Sequence, residues 1–361
     1  MTIESWYYAL VAGEVKIVDA PILDFAPPMP TDRAIGIGLI GAGGISAAHL
    51  EAYRKYGLNV LAICDRHLER AIARRDAFFP EARATNKVED LIGRSDILVL
   101  DLTLHPGERL SLMRRALEAG HHVLSQKPFV LDLDAGRALV ELAEANGLQL
   151  AVNQNGRWAP HMSYMREAVL AGLIGQPTSV QIAVHWDHTW IAGTAFANMP
   201  FVILEDFAIH WFDFLVSVIG EKAEMVFATA SRARGQTIAA PLIAQALVAY
   251  SGGQACLFFN GSALHGASDA TTIIGSRGAL HSGGADLGRQ SVSLFTDSGA
   301  AHPQLRGTWF NDGFAGTMGA LLCAVETGKA PLNSARGNLA SLRLCRAAIE
   351  SAQTGSPVRL G

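Results

Sequence analysis

The chain has 361 residues, half of them hydrophobic and only 17% charged, with a formal net charge of −4. That length suits two domains of the usual ~100–200 residues each, and the apolar content supplies a large core rather than a disordered chain. The mild acidity offers no basic face for nucleic acid, and neither a repeat nor a low-complexity tract is present.

No membrane partner is expected. The most apolar later window, Phe201 to Ile219, contains Glu205, Asp206, His210 and Asp213, groups that a spanning helix does not tolerate. The opening stretch, Met1 to Leu10, lacks a basic region before an apolar run, which argues against a signal peptide. Cys64, Cys256, Cys323 and Cys345 stand alone in apolar segments, the pattern of buried free thiols rather than of disulfides or a metal site. A cytoplasmic location follows as the expectation.

In chain order, residues 1–34 form an N-terminal extension. Ala26-Pro27-Pro28-Met29-Pro30 breaks regular structure there, and Lys16 to Phe25 reads as a short extended segment on a domain surface. From Ile35, short apolar runs at 35–40, 59–64, 97–102, 121–125 and 149–153 predict buried parallel strands. Helical spacing at 46–56, 67–78, 106–119 and 132–145 fills the gaps, with Gly120 and Gly147 just past two of these helices. Repeated β-α units predict a Rossmann-type doubly wound parallel sheet over 35–156.

The pattern changes after Arg157. A helix at 161–171 precedes predicted strands at 178–187, 223–232, 242–250, 254–262, 270–275 and 290–296, with a hairpin signal at Gly252-Gly253. One helix near 204–218 interrupts them, and two more near 311–327 and 334–353 close the chain. The expected second domain, 157–361, is therefore α+β with a large, mostly antiparallel open sheet, its last helix packing back on the first domain.

Ile35 to Ser46 reads I-G-I-G-L-I-G-A-G-G-I-S, a strand running into a glycine cluster and then a helix. Gly41 lets the chain turn sharply, and Gly43 lets a pyrophosphate approach the backbone at the helix N-terminus. Ser46 stands where the third glycine of G-x-G-x-x-G usually lies, and it is small enough for close helix–strand packing. A glycine-rich turn without a ligand is the plain alternative.

Asp65 ends the second strand, roughly 20 residues beyond the glycines, where an acid accepts the adenosine ribose hydroxyls and favours NAD over NADP. Arg66 beside it can stack on adenine or receive a phosphate, and Asp65 can instead cap the following helix. Thr103 and His105 lie at the carboxyl end of a strand, where ligands bind in such sheets, although either can cap the helix that begins at Pro106.

Lysine is scarce, so Lys127, before Pro128 at a sheet's carboxyl edge, reads as more than a solvated charge. There it can bind a substrate hydroxyl and shuttle a proton. In the interrupting helix, Asp206, His210 and Asp213 fall at spacings that share one face. An imidazole beside a carboxylate is a ready general base; a core histidine satisfied by its neighbours is the alternative. The spacing of these three gives little support to a metal.

Two further clusters combine polar groups with tryptophans: Asn153, Asn155, Arg157 and Trp158, and then Trp186, Asp187, His188 and Trp190. Both suit a sugar, with its apolar ring faces and hydroxyl rim, and both equally suit domain-interface packing. His161 reads as a helix-start residue, and Trp309 and Phe310 as core or pocket wall.

Taken in order, Gly41-Ala42-Gly43-Gly44-Ile45-Ser46 with His49, Gln126-Lys127-Pro128, and Asp206-x-x-x-His210-x-x-Asp213 resemble the glucose–fructose oxidoreductase / inositol dehydrogenase (Gfo/Idh/MocA) family. The resemblance runs from Ile35 to the end. It implies an NAD(P)-dependent oxidoreductase acting on a sugar, polyol or related cyclic alcohol, with Lys127 and His210 as the acid/base pair and Asp206 as the carboxylate beside them. Candidate cofactor contacts are Gly41, Gly43, Gly44, Ile45, Asp65, Arg66, Thr103, His105, Gln126 and Asn155. Candidate substrate contacts are Lys127, Arg157, Trp158, Trp186, His188, Asp206 and His210. A homodimer or homotetramer through the second-domain sheet is also implied.

Two positions depart from the family's pattern. Gln126 replaces the usual Glu before Lys-Pro, which would hold the lysine charge less strongly. Leu104, His105 and Glu108 replace a Pro-Asn pair and a later histidine at the cofactor edge. Two other outcomes fit the same residues: redox-neutral glycosidase chemistry through transient sugar oxidation, and a non-catalytic sensor of NAD and sugar.

Overall fold

The computed structural model describes residues 15–360; Met1 to Leu10, read above for a signal peptide, lies outside them. The first unit contains β1 (Gly36–Ile40), α1 (Ser46–Lys55), β2 (Asn59–Cys64), α2 (Leu68–Phe78), β3 (Arg83–Thr85) and α3 (Glu89–Ile92). It continues with β4 (Ile97–Leu102), α4 (Pro106–Glu118), β5 (His122–Gln126), α5 (Leu133–Ala145) and β6 (Leu150–Asn153). All strand pairs here are parallel, and the order is β3-β2-β1-β4-β5-β6. Every residue of β1 is buried, as a strand covered by helices on both faces requires. The chain reverses direction across the sheet between β1 and β4, and a crevice opens there at the carboxyl ends.

The second unit contains α6 (Pro160–Leu170), β7 (Pro177–His185), α7 (Ile209–Ile219), β8 (Ala223–Ser231), β9 (Ile243–Tyr250), β10 (Gly253–Asn260) and β11 (Ser268–Gly275). After these come β12 (Gly278–Asp286), β13 (Arg289–Thr296), β14 (Gly299–Ala301), α8 (Asp312–Thr327), α9 (Ala335–Thr354) and β15 (Val358–Arg359). Nine strands form one sheet, β14-β13-β12-β11-β7-β10-β9-β8-β15, antiparallel except for the β7–β10 pair. Alternating burial along β9 shows one face on the helices and one face open. Leu247 and Ile274 are exposed and Phe258 is half-buried.

Several short elements were not expected. β3 and β14 have three residues each and β15 has two, too few to show a period, and β12 (GALHSGGAD) is glycine-rich with little alternation. The helix expected over 204–218 is two elements. Ile203–Phe207 makes a π-helical turn, with Ala208 N–H donating to the Ile203 carbonyl at 2.7 Å, and α7 starts only at Ile209.

The closing helices reach back to the first unit. α8 packs against α1 and β6, and its Phe314, Ala315, Met318, Leu321 and Leu322 join the core around β1. The segment from Lys16 does lie extended: Val18 N–H donates to the Ala300 carbonyl and Ala300 N–H to Lys16, which covers the β14 edge of the large sheet. All four cysteines are free, although Cys256 and Cys323 are only half-buried. Among the described residues no helix is long and apolar enough to cross a membrane, and no group of three His, Cys, Asp or Glu is placed to hold a metal ion.

Candidate active site

The glycine turn is built as its sequence requires. Gly41 has φ +104°, a conformation that side chains avoid, and its N–H donates to Cys64 at the end of β2. A Cβ on Gly43 or Gly44 would meet nothing within 4 Å, so open space lies over the turn in front of the α1 N-terminus. That is the cradle a pyrophosphate needs, and the residues present fit a dinucleotide. Ile45 borders it, 36% exposed.

The residues around the turn mostly brace it. Asp65 is buried and splits its carboxylate, one oxygen accepting from Ala42 N–H at 2.7 Å and the other from His67 N–H at 2.9 Å. The Thr103 hydroxyl donates to the Gly41 carbonyl, so it supports the turn rather than capping α4. His105 is exposed at the start of α4 and makes no side-chain cap either. Arg66 projects into solvent beside Glu108, 3.3 Å away. Arg74 was not anticipated: from α2 its guanidinium donates to the Ser46 hydroxyl at 3.0 Å and the Gly43 carbonyl at 3.1 Å.

Beneath the crevice lies a buried polar chain. His49 Nδ1 donates to Asp101 at 2.8 Å, and the Tyr53 hydroxyl donates to the same oxygen at 2.7 Å. The Gln126 and Asn153 amide nitrogens face His49 Nε2 at 3.3 and 3.1 Å, so that nitrogen accepts. Gln126 Oε1 then accepts from the backbone N–H of Lys127 at 2.7 Å. Gln126 therefore fixes the Lys127 backbone. Arg109, fully buried with no carboxylate partner, ties the Leu104 carbonyl to the Pro128 carbonyl, joining the loops after β4 and β5. Burial alone pushes its guanidinium down to about 9.

On this base Lys127 Nζ donates to both the carboxylate and the backbone carbonyl of Asp206, each at 2.8 Å. The π-helical turn brings both oxygens of Asp206 to the lysine. Burial opposes ionisation of Asp206, but Lys127 outweighs it, and the carboxyl lies below its ordinary value. His210 begins α7 with Nδ1 buried and unpartnered. Burial, and then the Lys127 charge, push it down to about 3 against the pull of Asp206, so the ring is neutral at physiological pH. His188 is 2% exposed with neither ring nitrogen partnered, and burial pushes it down to about 4. Trp186 stacks at 4.7 Å on Phe207 and at 5.8 Å on His188, while exposed Trp190 lies 5.0 Å from His188. Lys127, Asp206, His210, His188 and Trp186 thus converge on one polar, aromatic-walled cleft.

Four residues singled out from the sequence are engaged within the fold. Asp213, three residues beyond His210 in α7, binds Arg157 at 2.6 and 2.9 Å and accepts from Ser341 at 2.8 Å. Arg157 also donates to Leu332 O, so its guanidinium is engaged within the fold. Trp158, 2% exposed, fills the space left by the missing side chain of Gly316 on α8. Asn155 is buried too, its carbonyl covered by Gly313.

Comparison with known proteins agrees with this architecture. Residues 35–154 match the profile of the Gfo/Idh/MocA oxidoreductase family, NAD-binding Rossmann fold, and residues 162–281 match the C-terminal domain of the same family. The chain belongs to the Gfo/Idh/MocA family. A D-apiose dehydrogenase of Paraburkholderia graminis is 30% identical over 215 residues, 57% of this chain and 56% of that protein. An inositol 2-dehydrogenase of Rhizobium meliloti is 27% identical over 332 residues, 88% of this chain and 96% of that enzyme. The crystal structure of an Agrobacterium radiobacter oxidoreductase with NAD+, L-tartaric acid and magnesium superposes with a TM-score of 0.80 at 20% identity, over 90% of this chain and 98% of that one. Membership makes this chain an oxidoreductase with an NAD-binding Rossmann domain.

Proposed function

We propose that the chain oxidises a secondary hydroxyl of a neutral sugar or polyol, with NAD as the hydride acceptor. The observation that carries this reading is the Lys127 ammonium held by Asp206 at 2.8 Å beside the unpartnered, neutral His210. Gly41, Gly43 and Gly44 would hold the pyrophosphate, and Asp65 a ribose hydroxyl through its remaining lone pairs. When bound, the nicotinamide supplies the hydride acceptor. The substrate hydroxyl donates its proton to His210, an imidazole kept free to receive one. Lys127 stabilises the negative charge growing on that oxygen, and Asp206 both anchors the lysine and offsets the imidazolium that forms. Trp186 and His188 present an apolar face and hydrogen-bonding nitrogens to the rest of the ring. Substrate placement, without a covalent intermediate, then accounts for most of the rate.

Asp65 favours NAD over NADP, and the relatives acting on apiose and inositol support a polyhydroxy substrate. The open sheet face bearing Leu247, Phe258 and Ile274 supports a homo-oligomer formed there. The deciding experiment incubates the protein with a panel of sugars and polyols and either NAD or NADP, following nicotinamide absorbance. Substrate-dependent accumulation of NADH is expected. Glycoside cleavage without it would overturn net oxidation, and neither event with any panel member would overturn an enzymatic role on these substrates.

A further inference from the structure

Ser46 fills the third position of the glycine fingerprint, and its hydroxyl does more than fit there. The residue is buried at the start of α1, and its hydroxyl donates to the Gly43 carbonyl at 2.6 Å. The same hydroxyl accepts from Arg74 Nε at 3.0 Å, and Arg74 Nη2 donates to the Gly43 carbonyl at 3.1 Å. Serine and arginine thus grip one carbonyl oxygen together and occupy both of its lone pairs. Arg74 comes from the middle of α2 and belongs to no part of the G-x-G-x-x-G pattern.

The peptide behind that carbonyl joins Gly43 to Gly44. It is trans, so its C=O and N–H point in opposite directions. With the carbonyl held from the α2 side, the Gly44 N–H faces away from it and has no acceptor among the described residues. The turn around that N–H is open, since a Cβ on Gly43 or Gly44 would meet nothing within 4 Å. Hydrogen bonds to the carbonyl also polarise the peptide and make its N–H a stronger donor.

Charge decides what this arrangement is for. The first turn of α1 has no acidic residue and no side-chain cap, so its positive end is uncompensated. Arg74 adds a full positive charge at that end, and no carboxylate pairs with it among the described residues. A brace for the turn would need only a neutral donor; like charges gathered at an open turn oppose each other until an anion arrives. We propose that Arg74, oriented by Ser46, is a positioning residue for the dinucleotide, aiming and strengthening the Gly44 N–H toward the pyrophosphate. This deepens the cofactor reading above and rests on it. Ser46 is then a working part of the cradle, because glycine at that place has no hydroxyl to hold the arginine.

Ligand-observed NMR titrations of the full chain test this, using ADP-ribose, which carries the pyrophosphate, and adenosine, which does not. Arg74→Gln should weaken ADP-ribose roughly tenfold, the scale on which a charge strengthens a hydrogen bond, and leave adenosine unchanged. Arg74→Lys keeps the charge and should recover part of that loss. Ser46→Gly restores the ordinary fingerprint, yet it too should weaken ADP-ribose and spare adenosine; it decides the matter alone should Arg74→Gln not fold. Adding Arg74→Gln to Ser46→Gly should cost less than Arg74→Gln does in the parent. The 2′-phosphorylated form of ADP-ribose should follow ADP-ribose in every variant. Unchanged ADP-ribose affinity in both single variants would overturn the proposal. So would an equal loss for adenosine, the mark of a damaged turn, or a loss confined to the 2′-phosphorylated compound. A parent that binds none of the three would overturn the cofactor reading, and this proposal with it.

Discussion

At the scale of single residues, the cleft depends on how Lys127 and His210 share their surroundings. The lysine is clamped by two oxygens of Asp206, while the imidazole is left neutral and unpartnered beside it. Lys127→Met removes the charge that would stabilise the substrate oxyanion but touches neither the glycine turn nor Asp65. Turnover should fall by roughly 10²–10⁴-fold, the range of a lost acid–base group, with NADH affinity, read by fluorescence, unchanged. A variant as active as the parent sinks the assignment. His210→Asn should lose activity by a similar factor and keep the Lys127–Asp206 pair, which a crystal structure of the variant would display. These residues were legible in the sequence because each is out of place: a rare lysine before a proline, and titratable groups on an apolar helix. The parts that hold them were not. His49 and Asp101, or Arg109 and Pro128, are joined only when distant segments meet, and no local pattern records that Gln126 accepts from the Lys127 backbone.

Among the elements, the π-helical turn at Ile203–Phe207 and the α7 helix after it carry three polar residues with two jobs. The expected single helix is broken here: Asp206 lies in the wider turn, whereas His210 and Asp213 keep their three-residue spacing within α7. Asp213 instead anchors α7 to Arg157 and to α9 through Asn338 and Ser341. Asp213→Ala would leave the buried Arg157 guanidinium uncompensated, costing about 3–5 kcal/mol by urea denaturation. Activity per folded molecule should survive, and its loss at full folding would return Asp213 to the site. Helix α8 is held as tightly. A Cβ on Gly313 would lie 2.5 Å from the Asn155 carbonyl oxygen, which is backbone and cannot rotate aside. Gly313→Ala should therefore cost about 1–3 kcal/mol. Glycines within a predicted helix read as weak helix formers from sequence; their packing reason appears only with the partner segment in place.

Over the whole molecule, the two units share more than a hinge. α8 lies in the first unit's core, and the N-terminal segment reaches the far edge of the second unit's sheet, passing Glu326, whose carboxylate accepts from the Thr31 and Asp32 N–H groups. Alternating β and α patterns followed by strands made the two-sheet architecture legible, whereas this lacing rests on contacts between segments hundreds of residues apart. Unfolding should accordingly be cooperative, and its pH dependence can be derived from the buried groups on both sides of Trp309. His161, His188 and His210 are pushed down to about 3, 4 and 3 from an ordinary 6.5, so below pH 6.5 the unfolded chain binds three protons that the folded one refuses. Their stabilising effect is complete above pH 6.5 and disappears as pH falls toward those values. Asp269 acts in the opposite direction. Pushed up to about 7, it holds a proton in the folded state that the unfolded chain releases above its ordinary 3.8, and so favours folding as pH falls from 7 to 4. Three protons against one leave about two, which sets a slope of about 2–3 kcal/mol per pH unit near pH 5.5, stability decreasing with acidification. Urea titrations between pH 5 and 7 measure that slope directly, and a flat profile would mean that the three imidazoles are not held neutral. The Asp269→Asn variant removes the one opposing proton, so its profile should be steeper than the parent's across the same interval.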